Sequence, residues 1–432
     1  MSRPVAALLF VIAVFAALVA YNDGASHDRN GVVQITYWTG WTGREFDVQK
    51  KLVEEFNRTH ARVNVRMISV GSYGGVNQKV KVALSTGAVP DVCSAVWSHE
   101  LAGYAFRGVL DPLDTYMAKS GRRGDEFMPG IWKSLNYKGR PYALCATTNS
   151  LFVAYNKKVF RECGLDPNRP PRTIAELDRA VAAVTKSDSR GDYVRYGFRP
   201  TWLEGWAYAF GGQWYDEKTG RITANDPRNV RCLRWMASYS KKYDVRRMMA
   251  FEQTFGSAQS ANGSFFTGKQ IMLVTGEWIQ QFVDRYARNL EWGFFPFPCP
   301  PGGRRDYTSV SGSVFVIPAA SKRKRAAWEF LNWICGPYAV KRFCLSVGNL
   351  PPLESVAAQP EFQKDPVVRF ALSLTGGRNA IGAVPIPIWA NYQNEILRAE
   401  DYAVTGGQDP KRLLDDLTVK IQRELDRVTK GR

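Results

Sequence analysis

Histidine is scarce in this chain, with three residues in 432, and the seven cysteines include no Cys-x-x-Cys pair. His99-Glu100 is not followed by a second histidine four residues later. Zinc sites need closely spaced cysteine and histidine ligands, so no metal site is expected. An odd number of cysteines leaves at least one thiol without an intramolecular partner. Cys335 and Cys344 are near enough in sequence to pair, but spacing alone does not establish a disulfide, and buried free thiols are expected for most of the seven.

The chain also lacks the motifs of nucleotide-dependent and hydrolytic enzymes. Residues 263–270 match G-x-x-x-x-G-K, but Gln270 stands where a phosphate-binding loop needs Ser or Thr to hold Mg²⁺. No G-x-S-x-G turn occurs, and no pair of acidic residues has a spacing that indicates glycosidase chemistry. The sequence therefore predicts no catalytic residue and no cofactor.

Acidic residues are in the minority, since 58 Lys and Arg against 40 Asp and Glu give a formal net charge of +18. The basic residues are spread along the chain, and Lys322–Arg325 is their densest run. No RNP, zinc-finger or helix-turn-helix pattern accompanies them. We expect a solvated basic surface and no nucleic-acid partner. An acidic ligand or an acidic membrane surface remains an alternative.

Long apolar runs are absent except at the start, where Arg3 precedes the run Pro4–Ala20. A basic residue followed by such a run is typical of a secretion signal. Residues 1–25 are therefore predicted to be a signal peptide or an N-terminal anchor, because the run is close to the lower length limit for a spanning helix. No cysteine lies near its end to carry a lipid. The folded part is expected in the periplasm or at the extracellular face of the cell membrane.

Strand and helix patterns alternate through the first hundred residues. The β-branched runs Val32–Tyr37 and Val63–Ile68 predict strands, and Pro90-Asp91-Val92 opens a third. Between the first two strands, apolar residues at helical spacing predict a helix that begins at Asp47. This alternation favours a parallel, doubly wound sheet. Further along, Thr173-Ile174-Ala175-Glu176 is a capping box that predicts the start of another helix.

Several stretches follow one another in a familiar order. The longest is YKGRPYALCATTNSLFVAYNKKVFRECGLDPNRPPRTIAEL, and the others are VQITYWTGWTG, TGAVPDVCSAV, FFTGKQIMLVTGEW, WGFFPFPCPP, SGSVFVIPAASK and AAWEFLNWI. In this order and spacing they resemble the family 1 extracellular solute-binding proteins of ABC transporters, the sugar-binding group that includes maltose-binding protein. The resemblance extends from residue 32 to about residue 425. Cys145 departs from it, because proline is usual there.

The resemblance implies an α/β, two-lobed periplasmic-binding-protein fold, with a mostly parallel sheet flanked by helices in each lobe and a hinge between the lobes. Lobe one is expected to contain residues 26–145 and 298–346, and lobe two residues 146–297 and 347–432. The chain would first cross near residues 145–149 and return near residues 295–298.

The resemblance also indicates where a ligand would bind. A sugar presents C–H faces and rim hydroxyls, so a matching site combines aromatic rings with hydrogen-bonding side chains. Sheet ligands bind beyond the carboxyl ends of strands. The candidate contacts share these residue types and positions, and they are Thr39, Trp41, Arg44, Tyr73, Trp97, His99, Glu100, Thr148, Asn149, Trp202, Glu204, Trp206, Trp278, Gly312, Ser313, Trp389, Asn391 and Tyr392.

The function that follows is the solute-binding component of an ABC importer. Such a protein captures a carbohydrate or polyol by hinge closure, delivers it to membrane permease subunits and catalyses nothing. A monomer is expected. Two alternatives stay open: a secreted carbohydrate-active enzyme, and a basic envelope protein that binds an acidic polymer.

Overall fold

The computed structural model describes residues 31–71 and 73–430, and it describes the backbone alone for residues 73–77. The segment predicted to be a signal peptide or anchor, residues 1–25, lies outside the described residues. Within the described residues the chain alternates between short strands and helices.

The strands are two to seven residues long. In chain order they are β1 (Val33–Thr39), β2 (Val63–Ser69), β3 (Val92–Trp97), β4 (Asn136–Tyr137), β5 (Arg140–Pro141), β6 (Leu144–Cys145), β7 (Leu151–Asn156), β8 (Lys186–Ser187), β9 (Tyr193–Arg195), β10 (Tyr215–Asp216), β11 (Arg221–Ile222), β12 (Met272–Gly276), β13 (Trp292–Phe295), β14 (Thr308–Ser309), β15 (Ser313–Val316) and β16 (Ala380–Ile381).

The helices carry most of the remaining chain. They are α1 (Gly43–Thr59), α2 (Tyr73–Thr86), α3 (Ser98–Phe106), α4 (Asp114–Lys119), α5 (Pro129–Ser134), α6 (Lys157–Glu162), α7 (Ile174–Val184), α8 (Leu203–Ala209), α9 (Pro227–Tyr243), α10 (Val245–Glu252), α11 (Ile279–Tyr286), α12 (Lys324–Ile334), α13 (Pro337–Val347), α14 (Glu354–Ala357), α15 (Pro360–Gln363), α16 (Pro366–Thr375), α17 (Trp389–Val404) and α18 (Pro410–Lys430). A 3₁₀ turn spans Gly124–Glu126.

The chain folds into two compact units, each made of separate stretches of sequence. Among the described residues, the first contains 31–71, 73–127, Trp132–Thr148 and Ser311–Ala357. The second contains Met128–Ile131, Asn149–Val310 and residues 358–430. Apart from the short stretch Met128–Ile131, the chain leaves the first unit after Thr148, returns to it at Ser311 and leaves it again after Ala357.

These boundaries differ from those inferred from the sequence at two places, and strand pairing explains both. Residues 298–310 belong to the second unit, where β14 pairs with β16 and Cys299 bridges Thr173. Residues 347–357 belong to the first unit, where Leu350 bridges Thr148 and Leu353 bridges Phe127. Neither pairing has a local sequence pattern.

The first unit is built on a five-stranded sheet of order β2-β1-β3-β15-β6. Strand β1 is parallel to β2 and β3, whereas β15 is antiparallel to β3 and β6. The expected parallel pairing is therefore present in the first three strands. As a result, the carboxyl ends of β1, β3 and β6 lie at the same sheet edge as the amino end of β15.

The core of the first unit centres on Tyr37, which is fully buried in β1. Its ring stacks on Phe315 and contacts Phe330, with ring centroids 5.6 and 5.2 Å apart. Its hydroxyl donates to Gln49 Oε1 at 3.0 Å and lies 2.6 Å from Ser94 Oγ. Because a buried polar group without a partner is destabilising, these bonds let α1 and β3 pack directly on β1.

The second unit departs from the expected parallel sheet. Its main sheet has the order β12-β7-β13, and β7 is antiparallel to both neighbours. The amino end of β7 therefore lies at the same sheet edge as the carboxyl ends of β12 and β13. A parallel sheet is therefore wrong for these strands.

The core of the second unit is largely aromatic. The ring of Trp206 on α8 lies 5.0 Å from Trp235 and 4.9 Å from Phe297, measured between ring centroids. Trp214 packs edge-on against Tyr392, and Trp389 does the same. Such edge-to-face pairs add stability beyond the burial of the rings.

All seven cysteines lie in the described part of the chain, and each is a free thiol. Six are buried, and Cys163 is partly exposed. Cys335 and Cys344 are not bonded to each other.

Of the two helix starts predicted from the sequence, the one at Asp47 is wrong and the one at Thr173 is confirmed. Helix α1 begins at Gly43 with Thr42 as its N-cap, so Asp47 lies inside the helix and does not cap it. Helix α7 begins as predicted, because Thr173 Oγ1 accepts from the Glu176 N–H at 3.2 Å and Glu176 Oε2 accepts from the Thr173 N–H at 2.9 Å.

Replacing Thr173 by alanine should therefore destabilise the protein. The Glu176 N–H would lose its side-chain acceptor, and N-cap substitutions of this kind cost about 1 kcal/mol. Urea unfolding of Thr173→Ala against the wild type measures the loss. Thr429→Ala is the control, since the Thr429 hydroxyl donates to the Leu425 carbonyl in the last turn of α18 and caps no helix start. Equal effects of the two substitutions would contradict the capping role.

Candidate functional site

The candidate residues of the first unit follow the strand ends at one edge of its sheet. Trp41 follows β1, Trp97 ends β3 and Thr148 follows β6. Ser313 begins β15 and pairs with Trp97 in register. Strand direction therefore brings together residues that are far apart in sequence, at the edge where open α/β sheets bind ligands.

The small polar candidates at this edge are buried and already bonded. Thr39 Oγ1 donates to Gln49 Oε1 at 2.8 Å, and Ser313 Oγ donates to the Ser94 carbonyl at 2.8 Å. Thr148 Oγ1 donates to the Ser311 carbonyl at 3.1 Å. These side chains stabilise the strand ends, and Gly312 is buried beside them.

Trp41 and Trp97 are half-buried, so each keeps ring surface outside the core. The Trp41 N–H donates to Thr39 Oγ1 at 3.2 Å, which orients the chain as it leaves β1. The Trp97 ring is nearly parallel to that of His99, with centroids 6.5 Å apart. Burial lowers the pKa of His99, which favours its neutral form.

Glu100 is a buried carboxylate in the first turn of α3. Its Oε1 lies 3.5 Å from Lys81 Nζ, whereas its Oε2 has no hydrogen-bond partner among the described residues. The nearby Ser98 Oγ and Tyr104 hydroxyl likewise lack partners in that part of the chain. Arg44 is exposed on α1. The side chain of Tyr73 lies outside the described residues.

The second unit places Trp278 at a corresponding position, after the carboxyl end of β12. The ring is half-buried and packs against Gly276, where a Cβ atom would lie 2.3 Å from a ring carbon. A larger residue at position 276 would therefore displace the ring from its present position. Asn149 precedes β7, and β7 pairs antiparallel with β12. Asn149 and Trp278 therefore lie near the same sheet edge.

Glu277 lies beside Trp278 and is 4% exposed. Its Oε2 accepts from the Ser150 N–H at 3.1 Å. Ser150 Oγ in turn lies 3.0 Å from Thr308 Oγ1, which also accepts from the Leu151 N–H at 2.8 Å. Burial raises the pKa of Glu277 to about 8. Hydrogen bonds therefore link the buried Glu277 to the start of β7 and, through Ser150, to β14.

Trp202 and Glu204 begin α8, and both are half-buried. Gln393 Nε2 donates to Glu204 Oε2 at 2.9 Å. Burial raises the pKa of Glu204 to about 7, so near neutral pH this group can both donate and accept hydrogen bonds. The Trp202 ring lies 6.1 Å from that of Phe297, which follows β13.

The remaining aromatic candidates are core residues in this structure. Trp206, Trp389 and Tyr392 are at most 1% exposed, because α8, α9 and α17 pack over them. The Nε1 atoms of both tryptophans have no partner among the described residues. Asn391 is exposed and donates to Glu424 Oε2 at 2.8 Å.

Comparison with known proteins assigns the family. A family model described as bacterial extracellular solute-binding protein matches residues 51–369. The chain belongs to this family. The predicted resemblance to extracellular solute-binding proteins is therefore confirmed, and this solute-binding protein can be compared with characterised relatives.

A maltotriose-binding protein of Pyrococcus abyssi (strain GE5 / Orsay) is 26% identical over 343 residues, which cover 78% of this chain and 70% of that protein. The sn-glycerol-3-phosphate-binding periplasmic protein UgpB of Brucella abortus (strain 2308) is 24% identical over 413 residues, covering 89% and 91%. The solved structure of CpMnBP1 with mannotriose bound is 27% identical, with a TM-score of 0.78 over 90% of this chain and 99% of that one. The similarity confirms the predicted two-lobed periplasmic-binding-protein fold.

Within the described residues, 31–71 and 73–430, no helix has both the length and the apolar character needed to cross a bilayer.

Three polar residues at the candidate site were not predicted from the sequence: Glu277, Gln393 and Glu400. Glu277 directly precedes Trp278, and Gln393 and Glu400 lie on the same face of α17 as Trp389. Helical spacing from Trp389 could have found the last two. Nothing in the sequence indicates that α17 packs against the start of α8.

The raised pKa of Glu277 predicts a pH-dependent stability. The folded protein holds this proton up to about pH 8, whereas an unfolded glutamate releases it near its ordinary value of 4.5. Between these values the folded state binds more protons, so stability falls as pH rises. Glu277→Gln keeps an acceptor for Ser150 and has no charge to bury, so its stability should fall less between pH 5 and pH 8.

Urea unfolding of the wild type and Glu277→Gln at both pH values measures this difference. Glu54→Gln, which changes an exposed glutamate on α1, is the control and should follow the wild type at both values. A constant difference between Glu277→Gln and the wild type across this range would contradict the prediction.

Proposed function

We propose that this solute-binding protein captures a neutral oligosaccharide outside the cytoplasm and delivers it to the permease of an ABC importer. The observation that carries the proposal is the presence of half-buried tryptophans in each unit. Trp41 and Trp97 lie at strand ends in the first unit, and in the second Trp278 follows a strand end and Trp202 lies at the start of α8. These four rings lie beside hydrogen-bonding groups within the fold of a solute-binding family.

Aromatic rings suit a sugar because its C–H groups carry a slight positive charge and the ring face is electron-rich. Hydroxyl groups around the sugar rim need donors and acceptors once water is removed. His99, Glu100 and Glu204 can supply them. A site of this kind is mostly apolar with few polar groups, as small-molecule sites generally are.

The charges of these side chains favour a neutral ligand over an anionic one. Glu100 would repel a phosphate or a uronate, and Lys81, the nearby cation, already pairs with it. A maltotriose-binding protein and a mannotriose-bound structure are among the relatives, at 26% and 27% identity. The glycerol-3-phosphate-binding relative is 24% identical. The surplus of basic residues is assigned to the solvated surface.

The remaining parts of the proposal follow from the family. The protein binds its ligand and returns it chemically unchanged. It works as a monomer, with permease subunits as partners, and its N-terminal segment directs it across the membrane. Capture by hinge closure belongs to this proposal. The ligand contacts proposed with most structural support are the four half-buried tryptophans, Trp41, Trp97, Trp202 and Trp278.

Trp278→Ala should weaken oligosaccharide binding by about tenfold, because an aromatic contact with a ligand contributes roughly 1 kcal/mol beyond the area it buries. Isothermal titration with mannotriose and maltotriose, preceded by a thermal-shift screen that includes uronates and sn-glycerol-3-phosphate, measures the effect. A ligand that binds the folded state alone raises the melting temperature.

Trp333→Phe is the matched control. Trp333 is also half-buried, but it packs against Phe56 and Tyr338 on the helices of the first unit. The Trp333→Phe variant should bind the oligosaccharide with the affinity of the wild type. A hit limited to phosphate compounds would overturn the neutral-ligand assignment, and recovery of a cleaved sugar would overturn the binding-protein assignment in favour of an enzyme.

A further inference from the structure

The backbone at Trp202 has an unusual conformation. Its φ and ψ angles are 74° and 63°, in the left-handed region that a residue with a Cβ atom seldom adopts. Three other non-glycine residues in the described chain share a positive φ, and Trp202 is the largest of them. Such a conformation persists only when its surroundings hold it, and it often marks a functional position.

The carboxylate of Glu400 holds this turn from a distant part of the sequence. Its Oε1 accepts from the Trp202 N–H at 3.1 Å, and its Oε2 accepts from the Leu203 N–H at 2.7 Å. Glu400 is 7% exposed. Each of the two carboxyl oxygens accepts from one N–H, so this pair of bonds fixes both residues at the start of α8.

The ring of Trp202 is held by a second contact. It packs against Gly205, where a Cβ atom would lie 2.1 Å from a ring carbon. The backbone carbonyl of Trp202 accepts from the Gly205 N–H at 3.1 Å and from the Trp206 N–H at 3.2 Å. The ring therefore packs closely against α8, and it remains half-buried.

Helix α17 supports both candidate ligand contacts on α8. Glu400 holds the backbone of Trp202, and Gln393, two turns earlier on the same helix face, holds the side chain of Glu204. Preorganised groups bind more tightly, because their ordering is complete before the ligand arrives.

We infer that Glu400 is a positioning residue for oligosaccharide binding, whose carboxylate holds Trp202 in its left-handed turn so that the indole ring meets a sugar ring. This inference rests on the proposed function. It assigns to a buried residue of α17 a role in affinity without contact with the ligand.

The first test is Glu400→Gln, which keeps the size of the side chain and turns an acceptor into a donor facing a backbone N–H. Its affinity for mannotriose or maltotriose should fall about tenfold, as should that of Trp202→Ala. In the double variant the two losses should not add, because both act through the same ring. Glu395→Gln is the matched control, since Glu395 lies on the same helix and pairs with Arg398 and Lys420.

A second readout separates positioning from general stability. In protein labelled with 5-fluorotryptophan, the ¹⁹F resonance missing from Trp202→Phe identifies Trp202. Glu400→Gln should shift that resonance in the unliganded protein, and Glu395→Gln should not. If Glu400→Gln does not fold, Gly205→Ala tests the same idea, because its Cβ displaces the ring while Glu400 stays in place; the same fall in affinity is expected.

Two outcomes would overturn the inference: unchanged affinity in Glu400→Gln with an unshifted Trp202 resonance, or fully additive losses in the double variant. A wild-type protein that binds none of the oligosaccharides would instead overturn the proposed function. Wild-type binding that neither Glu400→Gln nor Gly205→Ala weakens removes the inference alone.

Discussion

Parallel pairing of β1 with β2 and β3 sets the sheet edge at which the tryptophan candidates of the first unit lie. The carboxyl ends of parallel strands share one sheet edge, so Trp41, which follows β1, and Trp97, which ends β3, lie at that edge. The antiparallel β15 adds Ser313 to that edge because it begins where β3 ends. Tyr37 in turn anchors β1 to α1 and β3 through its buried hydroxyl. The site edge thus depends on a polar contact deep in the core.

The second unit reaches a similar result with different interactions. Its sheet is antiparallel, and buried carboxylates rather than strand direction order the chain around the tryptophans. Glu277 accepts from the Ser150 N–H, and Glu400 accepts from the N–H groups of Trp202 and Leu203. A buried polar group is tolerated where such donors satisfy it. Each carboxyl group therefore stabilises the backbone beside a half-buried ring.

Burial divides the tryptophans of the second unit into two groups. Trp206 and Trp389 form the core, whereas Trp202 and Trp278 retain exposed ring surface. Trp202 and Trp206 are four residues apart, yet Trp202 has a left-handed backbone, and its ring packs against Gly205 at the margin of the core. Trp202 thus remains half-buried, whereas Trp206 is fully buried.

The sequence by itself determined the family, the alternation of strands and helices in the first hundred residues, and the capping box at Thr173. These features depend on local spacing, which a chain carries wherever it folds. The parallel strands of the first unit followed from that alternation, whereas the antiparallel sheet of the second did not. Only the tertiary structure decided which tryptophans stay exposed and which carboxylates hold them. Glu400 contacts Trp202 across 198 residues, and Glu277 contacts Ser150 across 127, because packing between distant elements, not local pattern, sets burial and hydrogen bonding.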